Sequence, residues 1–174
     1  MKQESKQQFT ASVRDFRLPR YVEIPNVGLY LEQATKYICG YLAPLGDFSL
    51  TSSMISNYVK KGLIANPVKK QYSREQIAYL FFIAVAKSVL SLDALSAFLQ
   101  LQQRTYPLDQ AYDYFCEEFE NVLQFTFEVK DFMEIRGEDS SAEKRLLYTC
   151  IVAAVQKVYL ERCLEAIVSG EQEI

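Results

Sequence analysis

The stretch whose reading decides the fold runs from Thr51 to Leu101, TSSMISNYVKKGLIANPVKKQYSREQIAYLFFIAVAKSVLSLDALSAFLQL. Thr51 or Ser52 suits the start of a helix reaching Lys61, because a side-chain oxygen there accepts from an amide that the first turn leaves unbonded. Gly62 follows at the place where a left-handed residue ends a helix. Ala65 to Gln71, with Pro67 and Lys69-Lys70, has the length of a small hairpin or loop. Ser73 with Gln76 three residues on forms a capping box that opens a second helix to about Leu90. Ser91 caps a third, Leu92 to about Gln103, with Leu92, Leu95, Phe98 and Leu99 at helical spacing. The order is helix, tight stop, short basic hairpin, long apolar helix, shorter amphipathic helix.

Outward from this segment the chain stays helical. On the N-terminal side, residues 1–17 read as a flexible polar tail. Leu18-Pro19-Arg20-Tyr21 and Ile24-Pro25-Asn26 read as an extended arm, since a residue before proline is pushed away from helix. A helix from Asn26 or Val27 to Leu42 follows and is stopped by Pro44 and Gly46. On the C-terminal side, Pro107 marks a junction. Leu108 to about Val129 presents Leu108, Tyr112, Phe115, Phe119 and Val122 as an apolar face, with Glu117, Glu118 and Glu120 read as its solvated side. Arg136 to Ser140 is a loop, and Ser140 with Glu143 makes a second capping box before a final helix to about Ser169. That helix is apolar nearly all round from Leu146 to Leu160, so it is either central or shared with a partner. The expected organisation is a tail over 1–17, a unit over 18–104, and a helical region over 105–174 that packs on it and dimerises.

Composition limits the chemistry. The 174 residues carry a net charge of −3, with 49% hydrophobic residues and only six Gly and five Pro, which suits an all-α fold. Residues 1–108 hold 13 Lys or Arg against 7 Asp or Glu, whereas residues 109–174 hold 6 against 15. The basic half is the one suited to approach a polyanion. No histidine is present, which removes the usual general base, and no glycine-rich phosphate loop occurs. Cys39, Cys116, Cys150 and Cys163 are widely spaced without a CxxC, so reduced thiols are expected and no metal, cofactor or catalytic residue is assigned. The longest apolar run, Ile77 to Ala86, is too short to span a bilayer. With no apolar signal region at the N-terminus, a soluble cytoplasmic protein is expected.

Between Thr51 and Arg74 there are five basic residues and no acidic one. With Met54, Ile55, Tyr58 and Val59 turned inward, Ser52, Ser53, Ser56 and Asn57 face out at the front of the helix, where small polar side chains fit a major groove and can read base edges. Lys60, Lys61, Lys69, Lys70 and Arg74, with Arg20 from the arm, are the expected contacts to the DNA backbone. Tyr112, Phe115, Phe119 and Phe125 form an aromatic cluster read as core, dimer interface or ligand pocket.

At Tyr58 with Gly62-Leu63-Ile64, Tyr72-Ser73-Arg74-Glu75-Gln76-Ile77 and Leu90-Ser91-Leu92, the chain resembles the MerR superfamily of bacterial transcription regulators. The resemblance implies a winged helix-turn-helix with a small β wing, followed by the helical C-terminal region. The wing is several residues shorter than usual there, and Ile55-Ser56-Asn57 stands where that superfamily more often has Leu-Arg-Tyr. Over roughly residues 16–165, from Leu18-Pro19-Arg20-Tyr21 through Gly28-Leu29-Tyr30-Leu31 to Met54–Ile64 and Lys69–Gln76, the chain is similar to the bacterial family called domain of unknown function 1836. That similarity implies a regulator-like winged-helix protein and brings no established activity or ligand. The expected function is promoter binding as a homodimer on double-stranded DNA. Two other readings stay open: a protein-interaction module that kept the scaffold without DNA binding, and a regulator sensing a hydrophobic small molecule through the C-terminal aromatics.

Overall fold

The helix opened by Ser73 is the element that the rest surrounds. In the computed structural model, which describes residues 10, 13–46, 48–129, 131 and 141–168, six helices stand among the described residues. They are α1 (Leu31–Leu42), α2 (Ser52–Lys60), α3 (Arg74–Ala86), α4 (Leu92–Thr105), α5 (Leu108–Thr126) and α6 (Ala142–Val168). Two short strands, β1 (Leu29–Tyr30) and β2 (Gln71–Tyr72), pair antiparallel with Leu29 opposite Tyr72 and Tyr30 opposite Gln71. The fold is therefore mostly helical.

Ser73 Oγ accepts from Gln76 N at 3.4 Å, and Gln76 Oε1 takes the Ser73 amide at 2.8 Å, so the capping box forms. Ten of the thirteen residues of α3 are buried, which is why it shows no polar face. It packs against α1, α5 and α6. Phe81 meets Tyr37, Tyr41 and Tyr112 at ring-centroid distances of 6.0, 5.9 and 6.2 Å. Phe82 meets Phe98 at 5.1 Å and Phe115 at 5.5 Å. Each such pair adds about 0.5–1.5 kcal/mol beyond its buried area. The core is one cluster running through both halves of the chain, from Val13 to Val158.

Several element boundaries differ from the sequence reading. The first long helix begins at Leu31 and not at Asn26 or Val27, because Leu29 and Tyr30 are drawn into the sheet by Tyr72 and Gln71. Gly28 permits that approach: a Cβ there would lie 2.6 Å from Gln71 Cβ. The helix after Ser73 ends at Ala86, four residues before Leu90, and Leu90 N closes a turn on Ala86 O. At the start of α6 the cap is Ser141, whose Oγ accepts from Lys144 N at 3.3 Å. Ser140, the Arg136–Ser140 loop, Ser169 and most of the tail lie outside the described residues.

The largest difference concerns the acidic residues of α5. Glu118 is 4% exposed and Glu120 faces the arm, so they do not form a solvated side. Glu120 Oε1 accepts from Leu18 N at 2.8 Å and Arg20 Nη1 at 2.7 Å, while its Oε2 accepts from Arg20 Nη2 at 2.7 Å. Asp113 Oδ1 accepts from Tyr21 N at 2.7 Å. The arm is extended only up to Arg20, and Tyr21–Glu23 then turns as a 3-10 helix whose Glu23 N donates to Arg20 O at 2.9 Å. The amides of Leu18 and Tyr21 precede any such bond, and the carboxylates of α5 accept from them.

Gly62 ends α2 as its position in the sequence implies. Its φ is +75°, with Gly62 N donating to Val59 O at 3.0 Å and Leu63 N to Tyr58 O at 2.9 Å, the two bonds of a Schellman motif. A Cβ at this position would meet nothing within 4 Å. Gly62→Ala is thus expected to cost only the left-handed strain, about 1 kcal/mol, read as a fall in the midpoint of urea unfolding.

Among the described residues no helix is long and apolar enough to cross a membrane. The four cysteines are free thiols; Cys116 and Cys150 are buried, Cys39 and Cys163 half-buried. Burial pushes the Cys116 thiol up to about 12 and the Cys150 thiol up to about 11, so both stay protonated and unreactive near neutral pH.

Candidate nucleic-acid interface

Helix α2 is short and has a distinct inner and outer side. Thr51 Oγ1 caps it by accepting from Met54 N at 3.1 Å. Ile55 and Tyr58 are buried at 0% and 5% exposure, which anchors the helix by its inner face. Ser53, Ser56, Asn57 and Lys60 are all exposed and follow the spacing of a single helical face. Met54 joins them at 38% exposure, so the inner face is narrower than the expected set of Met54, Ile55, Tyr58 and Val59. Lys61 is also exposed and caps the C-terminus, where a cation suits the helix dipole.

Ser52 is placed differently from the other three polar residues. Its Oγ donates to Glu32 Oε1 at 3.1 Å and lies 3.2 Å from Thr35 Oγ1, so α1 holds it. Glu32 itself is exposed, which sets one carboxylate beside the front of α2. Helical spacing places Glu32 and Thr35 on one face of α1, but nothing in the sequence turns that face towards Ser52.

Beyond Gly62 the chain enters the hairpin. Gln76 Nε2 donates to Ala65 O at 2.7 Å, tying the hairpin's base to the first turn of α3. Gln71 N donates to Val68 O at 2.9 Å across a turn whose central residues, Lys69 and Lys70, have φ of 51° and 65°. Two successive positive φ angles are what a type I′ turn requires, and Asn-Gly is the usual occupant. Two lysines there each carry roughly 1–2 kcal/mol of backbone strain. Both are exposed at the hairpin tip. Lys70→Gly is therefore expected to raise Tm by about 2–4 °C, the equivalent of about 1 kcal/mol in a chain of this size. If the strain is kept for the charge, the same variant binds DNA several-fold more weakly. Calorimetry and a binding titration read the two effects separately.

Two cations assigned to the DNA backbone are engaged inside the protein instead. Arg20 is held by Glu120 as described, with side-chain exposures of 21% and 14%, and its Nη1 also donates to Leu18 O at 3.1 Å. The hydrogen bond to Glu120 holds the guanidinium above its ordinary pKa. Arg74 Nε donates to Ile24 O at 2.8 Å and its Nη2 to Val22 O at 3.3 Å, with the guanidinium 5.6 Å over the Tyr21 ring. The exposed cations of the segment are Lys60, Lys61, Lys69 and Lys70.

The aromatic cluster divides in the same way. Tyr112, Phe115 and Phe119 are at most 3% exposed and belong to the core, while Phe125 is 40% exposed near the end of α5. Tyr112 and Phe115 face α3, with Tyr112 also 6.4 Å from Tyr21 of the arm. Phe119 meets Phe16 ahead of the arm at 5.9 Å and Phe48 of the α1–α2 connection at 5.5 Å. The open cleft in this half is lined by other aromatics, Phe98, Tyr106 and Tyr114. They come from α4, the α4–α5 junction and α5, and no sequence spacing links them.

These features define a mostly helical protein that presents an acid-free helix and a strained basic hairpin from one continuous segment. A family model described as a domain of unknown function, DUF1836, matches residues 19–115, more than half of the chain, and the chain belongs to that family. No curated protein and no solved structure matches the chain.

Proposed function

We propose that the protein is a cytoplasmic transcription regulator that binds promoter DNA as a homodimer through a MerR-like winged helix-turn-helix. The observation that carries this reading is the outer stripe of α2, Ser53, Ser56, Asn57 and Lys60, continued by Lys61 and the Lys69-Lys70 turn. In this reading the three small polar residues meet base edges and the four lysines meet phosphates. The element order supports the winged-helix assignment: β1, two helices, then a hairpin whose second strand pairs back with β1, then α3. Arg20 and Arg74 are left out of the contact set because the protein itself uses them.

The partner proposed is a second copy docked along α6. Leu146, Leu160, Leu164 and Ile167 are 40–58% exposed there, and Leu146, Ala153, Leu160 and Ile167 recur every seven residues. Such a seam buries itself against a like helix, and a two-fold protein reads half-sites about 34 Å apart. Sedimentation equilibrium should then give twice the chain mass of 20.1 kDa.

Selection of genomic fragments at two salt concentrations tests the DNA reading. Eight lysine–phosphate contacts in a dimer give a slope near −7 in log K against log salt, a loss of roughly 10⁴ between 50 and 200 mM. Glu32 and Met54 at the front of α2 favour a second reading, a protein-interaction surface on the same scaffold. Absence of any enriched fragment, or an affinity indifferent to salt, selects that second reading.

A further inference from the structure

Helices α4, α5 and the first turns of α6 enclose a cleft of about 230 Å³ that neither the proposed DNA surface nor the α6 seam uses. A smaller recess of about 50 Å³ adjoins it on the side of α3, and the two share Phe98, Gln102, Ala111 and Leu147 as walls. We propose that this stepped cleft binds an uncharged aromatic compound of one or two rings that carries a short alkyl group. The ring lies against Phe98, Leu101 and Leu147, and the alkyl group enters the recess lined by Phe82, Leu99 and Leu108. A cavity of roughly 150 Å³ is enough for benzene, so the wider part takes one ring or a fused pair, and the recess has room for about two carbon atoms.

The charge state of the ligand follows from what the polar groups of the cleft already do. Lys144 is engaged by the protein: its Nζ lies 5.9 Å from the ring centroid of Tyr106 and 5.3 Å from that of Tyr114, within cation–π range of both. Glu143 lines the same cleft, so its two charged side chains have opposite signs and the lining carries no net charge. The Tyr106 hydroxyl is 3.1 Å from Ser141 Oγ, and Thr105 Oγ1 donates to Leu101 O at 3.1 Å. Gln102 uses both ends of its amide, Nε2 donating to Tyr106 O at 2.9 Å and Oε1 accepting from Tyr79 OH at 3.0 Å. Gln110 is exposed to solvent. An ion of either sign would give up hydration here without meeting a net opposite charge, whereas a neutral ring gives up little.

The recess decides the substituent. No charged residue lines it, and Phe82 within it lies 5.1 Å from Phe98 and 5.5 Å from Phe115. An alkyl group is the substituent that such walls favour, and each carbon buried there raises affinity about fourfold. Ala78, Tyr79 and Phe82 of the recess all belong to α3, so the bound alkyl group rests on the helix that follows the hairpin.

Fluorescence titration of the whole chain tests this without DNA, so the result does not depend on the proposed DNA binding. The chain has no Trp, so indole emission reports the ligand alone. The probes are indole, 2-ethylindole and 3-ethylindole, with indole-3-acetate as anionic control and tryptamine as cationic control. The three neutral indoles bind saturably, and one of the two ethylindoles binds roughly tenfold more tightly than indole. The acid and the amine each bind at least about tenfold more weakly than that ethylindole. Leu108→Phe fills the recess alone, so it keeps the affinity for indole and loses the gain from the ethyl group. Ala111→Phe fills the wall shared by both parts and removes binding of every probe; circular dichroism checks that both variants fold. No saturable binding by the neutral indoles, or wild-type binding in a folded Ala111→Phe, overturns the site. An acid or amine that binds as tightly as the better ethylindole overturns the assignment of an uncharged ligand. Ethylindoles no tighter than indole overturn the role of the recess.

Discussion

Reversing the two lysines at the end of α2, Lys60→Glu with Lys61→Glu, is expected to lower DNA affinity by roughly three orders of magnitude at about 100 mM salt. Both side chains are exposed, and no acidic residue lies between Thr51 and Ser73 to be relieved by the change. On the proposed contact set of four lysines per copy in a dimer, the substitution would remove four of eight cation–phosphate contacts and halve the salt slope, to about −3.6. The new carboxylates then repel the duplex, which adds to the loss. Lys60 and Lys61 also stand at the negative end of the α2 dipole, so reversal destabilises the fold by about 1–2 kcal/mol. The neutral pair Lys60→Gln with Lys61→Gln separates the two effects, because it halves the slope with a Tm nearly that of the wild type. Wild-type affinity in a folded double reversal removes these lysines from any DNA surface.

The parts of the fold legible in the sequence are those decided locally. Thr51, Gly62, Ser73 and Ser91 each cap or stop a helix through atoms within a few residues, and each does so in the structure. What was hidden depends on partners far along the chain. Leu29 and Tyr30 continue a helical pattern, yet pairing with Tyr72 and Gln71 makes them a strand. Arg20 and Arg74 look like free cations until carboxylate and carbonyl partners 100 and 50 residues away claim them. A helical wheel of α5 shows where Glu117, Glu118 and Glu120 point relative to one another, but not that an extended arm lies across them. The Lys69-Lys70 turn was legible in length and hidden in conformation, since neither lysine advertises a positive φ as Asn-Gly does. The cleft beside Lys144 joins residues of three elements that share no periodicity.

The largest stability effect is expected from Glu120→Ala, at about 3 kcal/mol. The carboxylate serves three donors, the Leu18 amide and both terminal nitrogens of Arg20, at 2.7–2.8 Å. Arg20 and Glu120 are mostly buried, with 21% and 14% side-chain exposure, so surface screening removes little of the interaction. Once Glu120 is gone the guanidinium cannot escape by losing its proton, and an unpaired charge and an unbonded amide remain in a half-buried place. For a chain of this size the loss corresponds to a fall in Tm of roughly 6–12 °C. Glu120→Gln keeps an acceptor for Leu18 N and should lose about half as much. The double variant Arg20→Met/Glu120→Leu discards both charges together, leaving mainly the Leu18 amide unsatisfied, and should return to within about 1 kcal/mol of wild type. Equal destabilisation in the double and single variants would mean that apolar packing of the arm, and not the ion pair, sets the cost. The arm also holds the start of α3, through Arg74 on the carbonyls of Val22 and Ile24. Glu120→Ala should therefore lower Tm strongly while the folded protein keeps its salt slope on DNA. That is the inverse of the lysine pair, and calorimetry beside a salt titration on both variants distinguishes a residue that holds the scaffold from one that touches the duplex.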